Sequence, residues 1–275
     1  MSDMKTRVRS AVKIGVFIAL LYIFASVPGI FSLFAAIIGA FSVYEILSIS
    51  NIITNEKWAV FFIFYAVTFP FIEIKLYVAT ELTLLIGVIM LFIFLFVDIK
   101  RAAVGIIPEW VAILVALVIP AMLKSIPELA AMENGVTYLS FSMMVSIFTD
   151  VFALIFGRLL GKRKLAPRIS PNKTLEGAIF GTTLTIVIML PLEYLFSRIS
   201  GFEVDYLNLV LLSFFASVAG QFGDLSASVI KRMGGRKDYS DLIPGHGGIL
   251  DRFDSMIFAI PIVYVLVNLG LRFAK

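Results

Sequence analysis

Marked only as apolar or polar, the chain is a succession of long apolar runs separated by short polar joints. The runs fall at 11–29, 31–49, 57–72, 80–98, 105–123, 137–158, 176–196, 206–229 and 250–272. Their length, about 17–25 residues in most cases, is what a helix needs to cross the hydrocarbon core of a bilayer. They are continuous rather than alternating, and a backbone inside lipid must satisfy its own hydrogen bonds, so they predict helices and not barrel strands. The expectation is an all-α integral membrane protein with about nine transmembrane helices. Residues 1–135 hold the first five spans; residues 136–275 hold the last four with two polar loops, where the chemistry is expected.

Composition strengthens this picture. Charged residues make up 15% of the 275 positions, against about 25% in a soluble domain. Mean hydropathy is +1.00, and 26 Phe and 10 Met supply more apolar surface than one small core can bury. An ordinary soluble fold is excluded. There is no Cys, hence no disulfide or thiol chemistry, and a single His excludes multi-His metal sites. Lys5, Arg7 and Arg9 precede the first run as in a signal peptide, but no small-residue cleavage site follows, so the run is read as a membrane helix.

Charge orients the chain. With the N-terminus in the cytoplasm, 18 of the 23 Lys and Arg face that side, and Lys75, Lys124, Arg198, Arg272 and Lys275 face the other. The positive-inside rule therefore predicts an N-in, C-out protein of the inner (cytoplasmic) membrane with both polar loops in the cytoplasm.

The first of those loops breaks the apolar pattern most sharply. Between Lys231 and Asp254 stand four Asp, five Lys or Arg and the only histidine, His246. Asp251 and Asp254 are three apart and share a face if a helix starts near Gly248. Asp224 lies near the end of the preceding span, where an ionised carboxylate costs about 2.5–3.5 kcal/mol on insertion scales unless it meets a cation. Oxygen ligands without Cys or clustered His favour a hard ion such as Mg²⁺, which binds carboxylates together with phosphate oxygens. Helix-end salt bridges to Lys231, Arg232 or Arg252 are the alternative. In Pro244–Gly248 the glycines suit either backbone amides facing a phosphate or a tight turn into the last span, and His246 suits a phosphate hydrogen bond or a solvated loop.

The second loop, Gly157–Gly177, holds six Lys or Arg and no acid before Glu176, and is preceded by Asp150. Ser170, Asn172 or Thr174 caps the following span, whose N-terminus offers amides and a positive dipole to an anion. The same charges also suit anionic lipid heads.

Together the loops resemble the phosphatidate cytidylyltransferase, or CDP-diacylglycerol synthase, family. Ser228–Asp254 carries S-x-φ-K-R, four residues, K-D, then P-x-H-G-G-φ-x-D-R-φ-D, and Asp150 to Gly177 is similar to that family's second conserved region. The chain departs from the pattern at Val151, Leu154 and Ala227. The resemblance implies the reaction of CTP with phosphatidic acid to give CDP-diacylglycerol and pyrophosphate, dependent on Mg²⁺ or Mn²⁺, with a second or monovalent cation allowed. It implies a catalytic set of Asp224, Lys231, Arg232, Lys237, Asp238, His246, Asp251, Arg252 and Asp254. Asp224, Asp251 and Asp254 would serve as metal ligands, and Asp150, Arg158, Lys162, Ser170, Lys173, Thr174, Glu176 and Ser228 would bind substrate. Membrane lipids, and another copy of the chain in a homodimer, are the implied partners; no nucleic acid is expected. A CTP-dependent polyprenol kinase, an ether-lipid cytidylyltransferase and an ion-coupled transporter are the alternatives. The transporter lacks its mark, since no internal repeat is visible.

Overall fold

The computed structural model describes residues 23–50, 56–72, 107, 109–167, 169–243 and 247–274. Helices α1 (Ile30–Ile49), α2 (Glu56–Thr68), α3 (Glu109–Leu123), α4 (Ser125–Ala130), α5 (Gly135–Leu159), α6 (Leu175–Ser200), α7 (Tyr206–Met233) and α8 (Leu250–Asn268) dominate. Between α5 and α6 lies an antiparallel ribbon of β1 (Lys164–Ala166) and β2 (Ser170–Thr174), pairing Lys164 with Thr174 and Ala166 with Ser170. That ribbon corrects the expectation of helices joined by a plain loop.

Among the described residues, five helical stretches are long and apolar enough to cross a membrane: Ile30–Ile49, Glu109–Ala130, Gly135–Leu159, Leu175–Ser200 and Tyr206–Met233. The runs at 57–72 and 250–272 also form helix. The first is shortened because Pro70 ends it in a 3-10 turn, Phe69–Phe71, and α8 carries Asp251, Arg252 and Asp254 in its first turns. Residues 24–29, expected to end the first span, are turns that lead to Gly29 at φ +77°. The rest of that run, and the run at 80–98, lie outside the described residues.

The chain divides into two compact units, residues 1–128 with 229–253 and residues 129–228 with 254–275. In the first, α1, α2 and α3 share a core of Val43, Leu47, Ala59, Phe62, Ala66 and Ala116. Small residues set the spacing, since a Cβ on Gly39 would lie 3.4 Å from the Ala66 carbonyl. The buried Lys124 ammonium donates to the Ile72 carbonyl and pairs with Glu128 at 3.6 Å, closing the helix end left open at Pro70.

In the second unit α6 lies on α5 along a stripe of every fourth residue: Gly177, Gly181, Thr185, Met189, Glu193 and Ser197. A Cβ on Gly181 would come to 3.0 Å from both the Ala153 side chain and the Thr149 carbonyl, so a larger residue would force α5 and α6 apart by a few tenths of an ångström. Lipid tails are as apolar as the helices, so close packing and hydrogen bonds hold such helices together instead of a hydrophobic drive. Thr149 Oγ1 accordingly bonds Thr185 Oγ1 (3.2 Å) and Ser217 Oγ (2.8 Å), joining α5, α6 and α7.

Candidate active site

Within the first unit, the segment from Lys231 to Asp251 is folded over two buried carboxylates. Asp251 is 7% exposed, and both of its oxygens are engaged. Oδ1 meets Lys231 Nζ at 2.7 Å; Oδ2 accepts from the Tyr239 amide (2.8 Å) and the Gly248 amide (2.9 Å). The Lys231 ammonium also lies 5.3 Å from the centroid of the Tyr239 ring, a cation–π contact on a fully buried aromatic.

The second carboxylate is Glu45 of α1, 1% exposed. Its Oε1 accepts from Ser240 Oγ (2.6 Å) and the Ile249 amide (2.9 Å), and its Oε2 accepts from the Leu250 amide (2.8 Å). The amides of Gly248, Ile249 and Leu250 belong to the start of α8, whose first N–H groups lack intrahelical acceptors and carry the positive end of the dipole. Two of the protein's own carboxylates therefore fill the place that the sequence suggested for a phosphate. A Cβ on Gly248 would overlap the Glu45 carboxylate, and Gly247 has φ +79°, so these two glycines are required by contact and by backbone. The Ile243 amide donates to the Gly247 carbonyl at 2.8 Å, while His246 lies outside the described residues. Arg236, Lys237, Asp238 and Arg252 are exposed around this knot. Arg232 Nη1 donates to the Arg236 carbonyl at 3.3 Å.

The second unit holds the other loop. Thr174 Oγ1 accepts from the Gly177 amide at 3.1 Å and is the N-cap of α6. Glu176 turns back and accepts from the amides of Lys162 (3.0 Å) and Arg163 (3.1 Å), which latches the hairpin to the helix start. A Cβ on Gly177 would meet the Ala153 carbonyl, Gly157 Cα and Thr174 Oγ1 at 2.7–2.9 Å. Thr174 and Glu176 thus shape the loop, while the side chains of Arg158, Lys162, Arg163 and Lys164 are exposed.

Lys173 Nζ lies 2.7 Å from Asp224 Oδ2, with side chains 23% and 31% exposed. Lys173 Nζ itself is shielded, and Asp224 is the group that compensates its charge. A second contact joins Asp150 and the start of α8: Ser255 Oγ donates to Asp150 Oδ2 (3.0 Å), and the Ser255 amide donates to Asp254 Oδ1 (2.8 Å). Ser170 of β2 and Ser228 of α7 are half-buried.

Asp224, Asp254 and Asp150 belong to this second unit, and Asp251 to the first. Among the described residues no group of three or more His, Asp or Glu is drawn together tightly enough to hold a metal ion. The donor chemistry nevertheless suits a hard divalent cation, because the acids offer oxygen alone. Asp224 Oδ2 and Asp251 Oδ1 each already hold an ammonium at 2.7 Å, so a metal at either carboxylate would share it with a lysine or displace that lysine.

Glu45, Ser240 and Ser255 were not singled out from sequence. Glu45 had a signal: it is the only charged residue in the run 31–49, and an acid at membrane depth needs a partner. The two serines had none.

The family model described as "Cytidylyltransferase family" matches residues 5–270. A phosphatidate cytidylyltransferase of Bacillus subtilis (strain 168) is 46% identical over 137 residues, covering 50% of this chain and 49% of that protein. One of Staphylococcus haemolyticus is 44% identical over 138 residues, 50% of this chain and 52% of that protein. One of Staphylococcus aureus (strain COL) is 40% identical over 135 residues, 49% and 50% respectively. The chain spans about half the length of the curated relatives it matches.

Proposed function

The chain belongs to the Cytidylyltransferase family, and from that premise we propose that it joins CTP to phosphatidate, forming CDP-diacylglycerol and pyrophosphate. The observation that carries this reading is the segment Ser228–Asp254, whose Lys231 and Asp251 are drawn into one buried knot while Lys237 and Arg236 stand exposed beside it.

The proposed chemistry balances simply. An oxygen of the phosphatidate phosphate attacks the α-phosphorus of CTP, the new P–O bond forms, and the bond to the α–β bridging oxygen breaks with its electron pair leaving on pyrophosphate. The nucleophile is already an anion, so no strong base is needed. The difficulty is repulsion between anions and the charge gathered in the transition state, which positioned cations relieve. Lys237, Arg232 and Arg236 meet triphosphate oxygens, arginine giving paired hydrogen bonds where it binds. Lys173, paired with Asp224 at 2.7 Å, takes a further phosphate oxygen when Asp224 releases it. Lys231 keeps Asp251 and the Tyr239 backbone in place. Magnesium is the proposed cation, Asp224, Asp254 and Asp251 its proposed ligands, and it supplies charge neutralisation and a template for the phosphates. Asp251 serves only after Lys231 leaves Oδ1.

We place the N-terminus and both loops on the cytoplasmic side, with about nine spans and a homodimer as the assembly. The natural chain has no Cys, so single Lys237→Cys and Arg198→Cys variants report sidedness directly. In intact cells an impermeant maleimide is expected to label Arg198→Cys and spare Lys237→Cys; the reverse pattern overturns the orientation.

The deciding experiment follows radiolabelled CTP into the chloroform-soluble fraction in the presence of phosphatidate. Label in lipid, release of pyrophosphate and loss of both with EDTA are expected. Release of CDP instead marks a polyprenol kinase. No incorporation at all favours a transporter, and turnover confined to ether-linked substrate selects the ether-lipid enzyme.

A further inference from the structure

A trough of about 360 Å³ runs between α6 and α7 in the second unit, walled by Ile179, Phe214, Val218 and Phe222. Its floor is polar: Gln221 Nε2 donates to Thr182 Oγ1 (2.8 Å) and to the Ala178 carbonyl (3.2 Å), so the polar groups there are already satisfied and the walls are left to apolar contact. Both helices have membrane-spanning length and composition.

One end of the trough is charged. Leu165 of β1 and Leu225 of α7 line it. Leu165 follows the exposed Arg163 and Lys164 along the hairpin, and Leu225 follows Asp224, which is paired with Lys173 at 2.7 Å. An apolar slot that opens beside exposed basic residues is complementary to an anionic lipid, tail in the slot and phosphate at the basic end, where Lys173 can exchange Asp224 for it.

Resting on the proposed reaction, we propose that this trough seats one acyl chain of the phosphatidate undergoing transfer, and that Lys173 receives its phosphate. A tail moving from bilayer to trough exchanges one apolar medium for another and gains little affinity. The trough therefore acts by alignment: it fixes the depth and direction from which the phosphate reaches CTP. A small displacement of a reacting group costs up to about a hundredfold in rate.

Val218→Trp fills the trough, and Leu195→Trp, on α6 and outside the trough, adds the same bulk elsewhere. Turnover of dioleoyl phosphatidate is compared with that of dihexanoyl phosphatidate in detergent. For Val218→Trp the dioleoyl-to-dihexanoyl ratio is expected to fall about tenfold or more below wild type, with the ratio of Leu195→Trp unchanged. An unchanged ratio in an active Val218→Trp protein overturns the trough while leaving the reaction intact. No turnover of either lipid by the wild-type chain overturns the reaction, and the proposed occupant with it. Should Val218→Trp fail to fold, the wild-type protein decides the matter through phosphatidate carrying a diazirine in one acyl chain. Photolysis is expected to label Ile179, Val218 or Phe222, and excess unlabelled phosphatidate to suppress the label more than phosphatidylglycerol does. Label confined to other residues, or equal suppression by phosphatidylglycerol, overturns the proposal in favour of bulk lipid.

Discussion

The two charged loops are held in opposite ways. From Lys231 to Asp251 the backbone is tied to carboxylates at 7% and 1% exposure, and every oxygen of Asp251 and Glu45 accepts from a named donor. From Gly157 to Gly177 the corresponding ties are a half-buried glutamate, a helix cap and a partly exposed ion pair between Lys173 and Asp224. A buried carboxylate with all its hydrogen bonds made fixes geometry, because losing one partner strands a charge in a poor solvent. A partly exposed ion pair with few other ties exchanges partners at less cost than a fully bonded buried carboxylate. The first loop is a preformed frame, and the second is a set of cations ready to trade one anion for another.

That contrast is sharpest at Asp251. Asp251→Asn keeps the shape but leaves the Lys231 ammonium buried without its counter-charge, and breaking such a pair costs about 3–5 kcal/mol. Thermal unfolding in detergent is expected at a clearly lower temperature, with CTP-dependent turnover down about a hundredfold or more. Near-normal activity would remove Asp251 from both the frame and the proposed metal site. Glu45→Ala comes next. It strands the Ile249 and Leu250 amides, each at about 1–3 kcal/mol when buried and unsatisfied. Stability and turnover are expected to fall together, and Glu45→Gln, which restores an acceptor, to recover part of both. If Glu45→Ala lowered turnover with unfolding unchanged, the frame would not be what Glu45 supports.

How far these features could be foreseen differs between the loops for physical reasons. The helical runs were legible because lipid imposes length and apolarity on every spanning segment, and the described ends of α5, α6 and α7 fall close to the expected ones. Thr174 as a cap was legible because a hydroxyl before an apolar run has few other local uses. The role of Glu45 was not, since its partners lie about two hundred positions away at Ser240, Ile249 and Leu250, and local pattern carries no information across that distance. Nor was the fate of the α8 amides. A glycine-rich entry to a helix suits phosphate and carboxylate alike, and only the fold shows that Asp251 and Glu45 take the place first. The ribbon β1–β2 was missed because Pro167, Ser170, Pro171 and Asn172 read as loop, and only one strand pair supports it.

The second loop should respond in activity and hardly in stability. Lys173→Ala removes a partly exposed pair worth at most about 1 kcal/mol, so the unfolding temperature is expected to stay near wild type. The Michaelis constant for phosphatidate should rise about tenfold, equivalent to roughly 1.4 kcal/mol of binding, and more than that for CTP. A large loss of stability would place Lys173 with the frame and erase the distinction between the loops.

The smallest effect belongs to Glu176→Gln. The glutamate is half-buried, and its charge strengthens two hydrogen bonds from the amides of Lys162 and Arg163. Glutamine still offers one carbonyl oxygen, so the latch is weakened rather than lost and turnover should change by only a few-fold. A more sensitive readout is limited proteolysis, because Arg163 and Lys164 are exposed basic residues beside the latch, where trypsin cleaves only if the backbone can open locally. Glu176→Gln is expected to be nicked there faster than wild type, while the buried segment around Tyr239 and Asp251 stays protected in both. Equal protection of the two proteins at Arg163 would mean that Thr174 and the pairing of Lys164 with Thr174 hold the hairpin by themselves, and the charge on Glu176 would then have to be explained by what it repels or attracts outside the chain.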